Sequence, residues 1–170
     1  MIILSLGSNL SSKFGNRFNN LEKAMTLLVE EGLTIHKKSS FYETPSYPDP
    51  NNPKFINMVI SIRSDLSAKS LMLLLISIEE KIERKRFKKN SPRTCDIDII
   101  DFNNEVLNFS SNTLNLTIPH KSLTFRNFVL FPLKEISPNW KHPKTNESLD
   151  ALIKNLPDDD RNSILKIQKN

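Results

Sequence analysis

The feature that most constrains the fold is a segment at residues 54–65 in which two kinds of residue alternate. One set of alternate positions is wholly apolar and consists of Ile56, Met58, Ile60 and Ile62. The other set is mixed and consists of Phe55, Asn57, Val59 and Ser61. Because successive side chains of a strand point to opposite faces of a sheet, this alternation predicts a strand with one face in a core.

Two helices are predicted on either side of this strand by apolar residues spaced three or four apart. The first apolar face is formed by Phe14, Phe18, Leu21, Met25 and Leu28. Gly32 follows it, as expected of a residue just past a helix end. The second apolar face is formed by Ala68, Leu71, Leu75, Ile78 and Ile82. Asp65 or Ser67 is expected to cap the second helix.

Further strands are predicted at residues 2–6, 33–42, 96–102 and 114–118, with Asn103-Asn104 as a hairpin turn. Four prolines make residues 45–53 a loop. Weaker helical patterns cover 126–136 and 148–156. The order βαββαβ, followed by a helical tail, predicts an α+β fold. We expect a ferredoxin-like core with a mainly antiparallel sheet, helices packed on it and a helical C-terminal extension.

Length and composition predict one domain spanning residues 1–170. The one cysteine, Cys95, excludes an internal disulfide and fits a reducing compartment. The longest apolar run, residues 71–76, is far shorter than the roughly 20 residues that cross a bilayer. The N-terminus has no basic segment of the signal-peptide kind. We therefore expect a cytoplasmic protein without a membrane partner.

The net charge of +5 is concentrated in one segment. Residues 84–93 contain six basic residues and no acidic one, so the remainder of the chain is slightly acidic. Arginine forks suit phosphate oxygens, although most basic loops are solvated or bind nucleic acid. An RNA-binding module that uses this loop therefore remains an alternative function.

Asp96 and Asp98 follow the basic segment on a predicted strand, so their side chains leave the same face. Two carboxylates at this spacing can hold Mg²⁺ together with substrate phosphates, or they can simply face water. Such a pair would repel a nucleic-acid backbone. By pattern alone, Glu79 is a solvated helical residue and His120 a structural one. The chain has neither a P-loop nor a Gly-x-Gly-x-x-Gly motif, so side chains must hold any phosphate.

An ordered set of motifs resembles the 6-hydroxymethyl-7,8-dihydropterin pyrophosphokinases of folate biosynthesis. The motifs are Leu6-Gly7-Ser8-Asn9-Leu10, Phe41-Tyr42-Glu43-Thr44-Pro45, Phe55-Ile56-Asn57, Ile78-Glu79, Arg84-Lys85-Arg86, Pro92-Arg93-Thr94-Cys95-Asp96-Ile97-Asp98-Ile99 and Pro119-His120. The family transfers the β,γ-pyrophosphoryl unit of ATP to the hydroxymethyl oxygen of the pterin and releases AMP. The resemblance thus implies ATP and the pterin as partners, no nucleic acid, and two Mg²⁺ ions as cofactors. We also expect a monomer.

The resemblance also assigns roles to residues of this chain. It implies a catalytic role for Arg84, Arg93, Asp96 and Asp98, the two aspartates being the metal ligands. It implies ATP contacts from Glu79, Arg84, Arg86, Arg93, Ile99, Thr117, His120 and Arg126. It implies a pterin pocket made of Thr44, Pro45, Tyr47, Phe55, Asn57 and Phe128. The residues alone agree on one point, since a ring and an amide on one strand face suit a flat heterocycle. The chain departs from the family pattern at Ile76, Glu83, Asn90 and Lys121.

Overall fold

The computed structural model describes residues 1–85, 91–111 and 114–169. Its larger sheet contains six strands: β1 (Ile2–Ser8), β2 (Thr34–Lys38), β3 (Phe41–Thr44), β4 (Phe55–Arg63), β5 (Asp96–Phe102) and β8 (Leu165–Ile167). The spatial order is β5-β1-β4-β3-β8, and β2 pairs with β4 next to the β3 segment. The pairs between these strands are antiparallel. The predicted α+β class with a mainly antiparallel sheet is confirmed, whereas the ferredoxin-like name for its topology stays a prediction.

Two helices, α1 (Arg17–Glu30) and α2 (Ala68–Lys81), pack on one face of this sheet. The apolar alternation of β4 points to them as predicted, and β1 and β5 add residues of the same kind. The larger core that results has at its centre Leu4, Leu6, Met58, Ile60, Leu21, Leu28, Leu71, Leu75 and Ile97. These side chains are almost fully buried, so this face of the sheet serves to stabilise the fold.

The opposite face of the sheet is covered by a third helix, α3 (Asn127–Ile136). It packs on Ile3, Val59 and Ile100 in a second, smaller core. The residues that follow α3 add Trp140, Leu149, Leu152 and Leu156 to that core. Only part of this face is covered by apolar side chains, which leaves the polar ends of β1, β4 and β5 for another purpose.

The two main helices begin where a side chain can satisfy their first backbone N–H groups. Asn16 caps α1, because its side chain accepts from the N–H groups of Phe18 and Asn19. The apolar spacing predicted an earlier start, but Phe14 precedes the cap and only packs against the core from the turn. Of the two predicted caps of α2, Ser67 is the one used, and its Oγ accepts from the N–H of Ser70 at 3.1 Å.

The strand predicted at 33–42 is wrong as a single element, because β2 and β3 are separate. At the break, the N–H of Val59 donates to Ser39 Oγ at 3.0 Å, and the N–H of Ser39 donates to the carbonyl of Val59 at 2.9 Å. A side-chain oxygen thus replaces a backbone acceptor at this point of the ladder. Hydroxyl side chains compete with strand hydrogen bonds in this way, and apolar patterning carries no sign of it.

The predicted turn at Asn103-Asn104 is present, and both residues have the positive φ that asparagine tolerates better than most. The strand after it, β6 (Leu107–Ser110), pairs with β7 (Asn115–Ile118) in a separate two-stranded sheet. The prediction that this turn joins β5 to a strand paired with it is therefore wrong, because β6 pairs with β7.

The chain after α3 contains a helix within the predicted range 148–156, a further short helix and a strand that was not predicted. It forms two short helices, α4 (Leu149–Lys154) and α5 (Asp158–Asn162), and then returns to the main sheet as β8, which pairs with β3. Three residues are too few for a periodic pattern to reveal such a strand. In the parts of the chain that the structure describes, no helix is both long and apolar enough to cross a membrane.

A buried carboxylate fixes the far end of β5. Asp101 accepts from the indole N–H of Trp140 at 2.6 Å and from the backbone N–H of Asn104 at 2.8 Å. Its side chain is almost fully buried, so both bonds offset the cost of removing the charge from water. Through them Asp101 ties β5 to its turn and to the segment after α3.

Replacing Trp140 with Phe should lower the free energy of unfolding by about 1–3 kcal/mol, because one oxygen of Asp101 loses its partner. Urea denaturation followed by circular dichroism measures the change. Phe125→Leu, at an exposed aromatic position, is the matched control and should change stability by less than about 0.5 kcal/mol. An unchanged unfolding midpoint in Trp140→Phe would contradict the structural role of this bond.

Candidate functional site

The candidate site lies on the sheet face that α3 only partly covers. Asp96 and Asp98 point to this face from β5, in line with Ile100 of the smaller core. In the sheet register Gly7 of β1 is the neighbour of Asp96 on one side and of Asn57 on the other. Asp96, Gly7 and Asn57 therefore form a row across three adjacent strands. The predicted orientation of the two aspartates is found in the structure.

Glu79 lies near the end of α2 and is almost completely buried. Its carboxylate accepts from the backbone N–H of Ile97 at 2.7 Å and pairs with the guanidinium of Arg84. Arg84 also reaches Asp96 Oδ1, at 2.5 Å. Burial alone would lower the pKa of Arg84, but the charges of Asp96 and Glu79 raise it above its ordinary value. Arg84 is thus charged and held between a helix end and β5.

Two more arginines approach the aspartates, and each also lies over an aromatic ring. Arg93 Nη1 is 3.4 Å from Asp96 Oδ2, and its guanidinium is 5.2 Å from the ring centre of Phe55. Arg126 Nη1 donates to Asp98 Oδ2 at 2.7 Å, and its guanidinium is 5.4 Å from the ring centre of Phe128. Ion pair and cation–π contact together restrict each guanidinium to one region of the site.

The charges of this group balance within the protein. Glu79, Asp96 and Asp98 supply three negative charges, and Arg84, Arg93 and Arg126 supply three positive ones. The side chains of Asp96 and Asp98 are each about a quarter exposed, so water and ligands can reach them. A polyphosphate with bound cations could exchange partners with this group and keep its charge balanced.

His120 lies next to this group in a partly buried position. Burial lowers the pKa of His120, and the nearby Arg126 lowers it further, although Asp98 opposes the shift. Its Nδ1 accepts from the N–H of Ser122 at 3.1 Å, so the neutral ring carries its proton on Nε2. His120 is therefore suited to donating a hydrogen bond without adding a charge.

The other two residues expected at the nucleotide side are less directly placed. Thr117 is exposed on β7, where its hydroxyl lies 3.3 Å from Asn108 Oδ1. The side chain of Ile99 is buried in the larger core, on the face opposite the aspartates, so only its backbone could meet a nucleotide. Both assignments stay predictions.

The predicted pterin residues separate into a buried group and an exposed one. Asn57 is buried and its Nδ2 donates to Thr44 Oγ1 at 3.0 Å. Phe55 and Phe128 are half-buried, each under an arginine. Pro45 and Tyr47 are exposed on the proline loop, Tyr47 by 82%. The structure thus brings four of the six side chains to the site and leaves these two in solvent.

Gly7 and Asn9 are functional candidates that the residue predictions omitted. A Cβ built on Gly7 would lie 3.0 Å from Asn57 Oδ1, so glycine at this position permits the close approach of the amide. Asn9 is buried and bonds to two loops. The available signal was a polar Ser-Asn pair at the end of a mostly apolar strand, because buried polar side chains must find partners.

The residues present fit a magnesium ion that shares its ligands with a phosphate. Magnesium prefers oxygen ligands and commonly uses one or two carboxylates together with substrate phosphates. Asp96 and Asp98 supply hard oxygens on one accessible face. Among the residues that the structure describes, no group of three His, Cys, Asp or Glu side chains could hold a metal alone. The two carboxylates are thus the donors of this face that would hold a magnesium ion together with a phosphate.

Some sequence predictions fall outside the described residues, namely those on Arg86 and Asn90. Glu83, where the chain departs from the family pattern, lies within the described residues and has an unusual backbone conformation. Glu83 has a φ of 64°, a left-handed conformation that glycine adopts more readily. Its carboxylate accepts from the backbone N–H of Lys13 at 2.9 Å, which helps to hold this conformation.

Comparison with known proteins places the geometry in a family. The model of the family described as 7,8-dihydro-6-hydroxymethylpterin-pyrophosphokinase matches residues 3–138. A 2-amino-4-hydroxy-6-hydroxymethyldihydropteridine pyrophosphokinase of Synechocystis is 34% identical over 155 residues, which are 91% of this chain and 75% of that protein. The protein of the same name from Aquifex aeolicus is 37% identical over 142 residues, which are 84% of this chain and 83% of the relative.

Solved structures show the same fold. The wild-type HPPK-DHPS protein of Plasmodium falciparum matches with a TM-score of 0.70 at 19% identity, and the match covers 89% of this chain. This chain spans only 43% of that longer protein. The family predicted from the ordered motifs is confirmed by the family model and the close relatives. The chain belongs to the 7,8-dihydro-6-hydroxymethylpterin-pyrophosphokinase family.

Proposed function

We propose that the chain transfers a diphosphate group from ATP to the hydroxymethyl oxygen of 6-hydroxymethyl-7,8-dihydropterin, with Mg²⁺ as cofactor. The products are the pterin diphosphate and AMP. One observation carries the proposal: a charge-balanced group of carboxylates and arginines lies beside Asn57, Thr44 and the Phe55 ring on one sheet face, a region called the slot below. Family membership supports it, because the relatives are named for this pyrophosphokinase activity.

The slot has the chemistry that a flat, hydrogen-bonding heterocycle requires. Phe55 and Phe128 supply aromatic surface, and Asn57 supplies an amide whose orientation is fixed by its bond to Thr44. Gly7 separates Asn57 from Asp96 in the row across the sheet. A pterin held at Asn57 would therefore place its hydroxymethyl arm over Gly7, on the path to the phosphate side.

The opposite end of the row has the chemistry that a triphosphate requires. Arg84, Arg93 and Arg126 can transfer their hydrogen bonds from the aspartates to phosphate oxygens and stabilise charge as the bond to the leaving AMP breaks. His120 can donate one further neutral hydrogen bond. Asp96 and Asp98 would hold the magnesium, which neutralises phosphate oxygens when it is bound. Catalysis of this kind depends on in-line positioning and electrostatics more than on covalent help.

Four aspects of the molecule remain proposals: a single domain over 1–170, a monomeric state, a cytoplasmic location and the number of magnesium ions. The RNA-binding alternative has no support from the comparisons. Phosphoryl chemistry also explains Asp96 and Asp98 better, since two carboxylates would repel a nucleic-acid backbone.

Incubation of the chain with Mg²⁺, ATP and 6-hydroxymethyl-7,8-dihydropterin should produce AMP and pterin diphosphate in equal amounts. Separation of the nucleotides by ion-exchange chromatography measures the products. Formation of ADP in place of AMP would show that the chain transfers a single phosphoryl group, as an ordinary kinase does. Omission of Mg²⁺ should abolish turnover, and full activity in a chelator would remove the metal from the proposal.

Replacing Asp96 or Asp98 with Ala should lower turnover by roughly a hundredfold or more, an amount comparable to the loss of one electrostatic transition-state contact. Pterin binding without nucleotide should survive, because Asn57, Thr44 and the two aromatic rings are unchanged. Steady-state kinetics and calorimetry measure the two effects. Asp150→Ala, at an exposed aspartate paired with Lys134, is the control and should retain activity. Near-normal turnover in both site variants would exclude the metal role.

Replacing Gly7 with Ala should weaken pterin binding roughly tenfold, the equivalent of about one hydrogen bond. The added methyl would lie 3.0 Å from Asn57 Oδ1 and displace the amide. The affinity for a nonhydrolysable ATP analogue should stay unchanged, and calorimetry measures both ligands. Ser5→Ala, two residues earlier on the same face of β1, is the control. Equal losses of pterin and nucleotide affinity in Gly7→Ala would show general damage to the sheet.

A further inference from the structure

Asn9 follows directly after β1 and is buried, with 2% of its surface exposed. Its side chain uses both ends of its amide, and each end bonds to a different loop. One loop ends the basic segment at Arg93, and the other is the proline loop at 45–53. A buried side chain with no free bonding group has a single orientation, so Asn9 fixes the relation between these two segments.

On the nucleotide side, Asn9 holds the backbone of Arg93. The N–H of Arg93 donates to Asn9 Oδ1 at 2.7 Å, and the N–H of Asn9 donates to the carbonyl of Arg93 at 3.0 Å. The N–H of Leu10 donates to the same carbonyl at 3.1 Å. These three bonds leave the Arg93 backbone little freedom to move independently of Asn9.

On the pterin side, Asn9 closes the base of the proline loop. Its Nδ2 donates to the carbonyl of Pro53 at 3.0 Å and to Ser46 Oγ at 3.3 Å. Ser46 Oγ in turn donates to the carbonyl of Pro53 at 2.6 Å, so the first and last turns of the loop are joined. Pro45 and Tyr47, the two pterin candidates that are exposed, flank Ser46 on this loop.

The guanidinium of Arg93 makes the connection relevant to both substrates. It lies 3.4 Å from the carboxylate of Asp96 and 5.2 Å from the ring centre of Phe55. A triphosphate that draws Arg93 away from Asp96 changes the environment of the Phe55 ring. The same movement of the guanidinium pulls on the backbone of Arg93. Because Asn9 is hydrogen-bonded both to this backbone and to the proline loop, a shift of one segment displaces the other.

We propose that Asn9 is a positioning residue that couples nucleotide binding to pterin binding by holding Arg93 and the proline loop in one arrangement. The inference rests on the proposed function, because it assigns the two loops to the two substrates. Its measurable consequence is that a bound nucleotide raises the affinity for the pterin. By linkage, the pterin raises the affinity for the nucleotide by the same factor.

The test measures the dissociation constant of 6-hydroxymethyl-7,8-dihydropterin by calorimetry, with and without Mg²⁺ and an ATP analogue whose α,β bridge cannot be cleaved. In the wild-type chain the ratio of the two constants should be about fivefold or more, the lower range of typical couplings. In Asn9→Ala the ratio should fall to within about twofold of one, while both ligands still bind. In Ser46→Ala, which loses one of the two bonds to the proline loop, the ratio should lie between these values.

Trp140→Phe serves as the control for lowered stability, because its lost hydrogen bond lies at the other end of β5. This variant should keep the wild-type ratio. A wild-type ratio in Asn9→Ala, or an equal loss in Trp140→Phe, would overturn the inference. If Asn9→Ala does not fold, an unchanged ratio in Ser46→Ala overturns it and a lowered ratio supports it.

The outcomes also separate this inference from the proposed function. If the wild-type chain binds the pterin equally well with and without the ATP analogue, the proposed function stands and the inference is wrong. If the wild-type chain binds no pterin in either condition, both the proposed function and the inference are wrong. A ratio above fivefold that disappears only in the Asn9 and Ser46 variants supports both.

Discussion

The site depends on a buried ion pair at the junction of α2 and β5. A carboxylate as buried as that of Glu79 is unstable unless charged and hydrogen-bonding partners surround it. The guanidinium of Arg84 and the N–H of Ile97 supply those partners. The bond to Ile97 is made to a strand backbone, so it fixes β5 against the helix. Asp96 and Asp98, on either side of Ile97, take their direction from this contact.

One face of the sheet changes from core to site along its strands. On β1 the side chains of that face become smaller, from Ile3 to Ser5 to Gly7. On β5 the series Ile100, Asp98 and Asp96 replaces an apolar side chain with carboxylates. The apolar ends bind α3 and the polar ends remain accessible. A single element, α3, thus stabilises the sheet and also places Arg126 and Phe128 at the site.

The parts of this arrangement that follow from local periodicity were predictable from the sequence. The alternation in β4 gave the buried face, and the two-residue spacing gave the common direction of Asp96 and Asp98. Contacts between distant residues were not predictable in this way. Helical spacing treats Glu79 as a solvated residue, because its burial depends on Arg84 and on a strand that follows 17 residues later. The bonds from Asn9 to Pro53 and Arg93 likewise span 44 and 84 residues, and only the cost of burying an amide suggests that they exist.

The left-handed conformation of Glu83 links the end of α2 to a distant turn of the chain. Glycine at this position would make the turn by its own freedom, whereas glutamate needs the backbone N–H of Lys13 to help hold it. The exit of α2 towards Arg84 is therefore tied to the turn before α1, more than 60 residues earlier. A change in that turn that removes this N–H would take away one support of the left-handed backbone next to Arg84, a support that glycine at position 83 would not need.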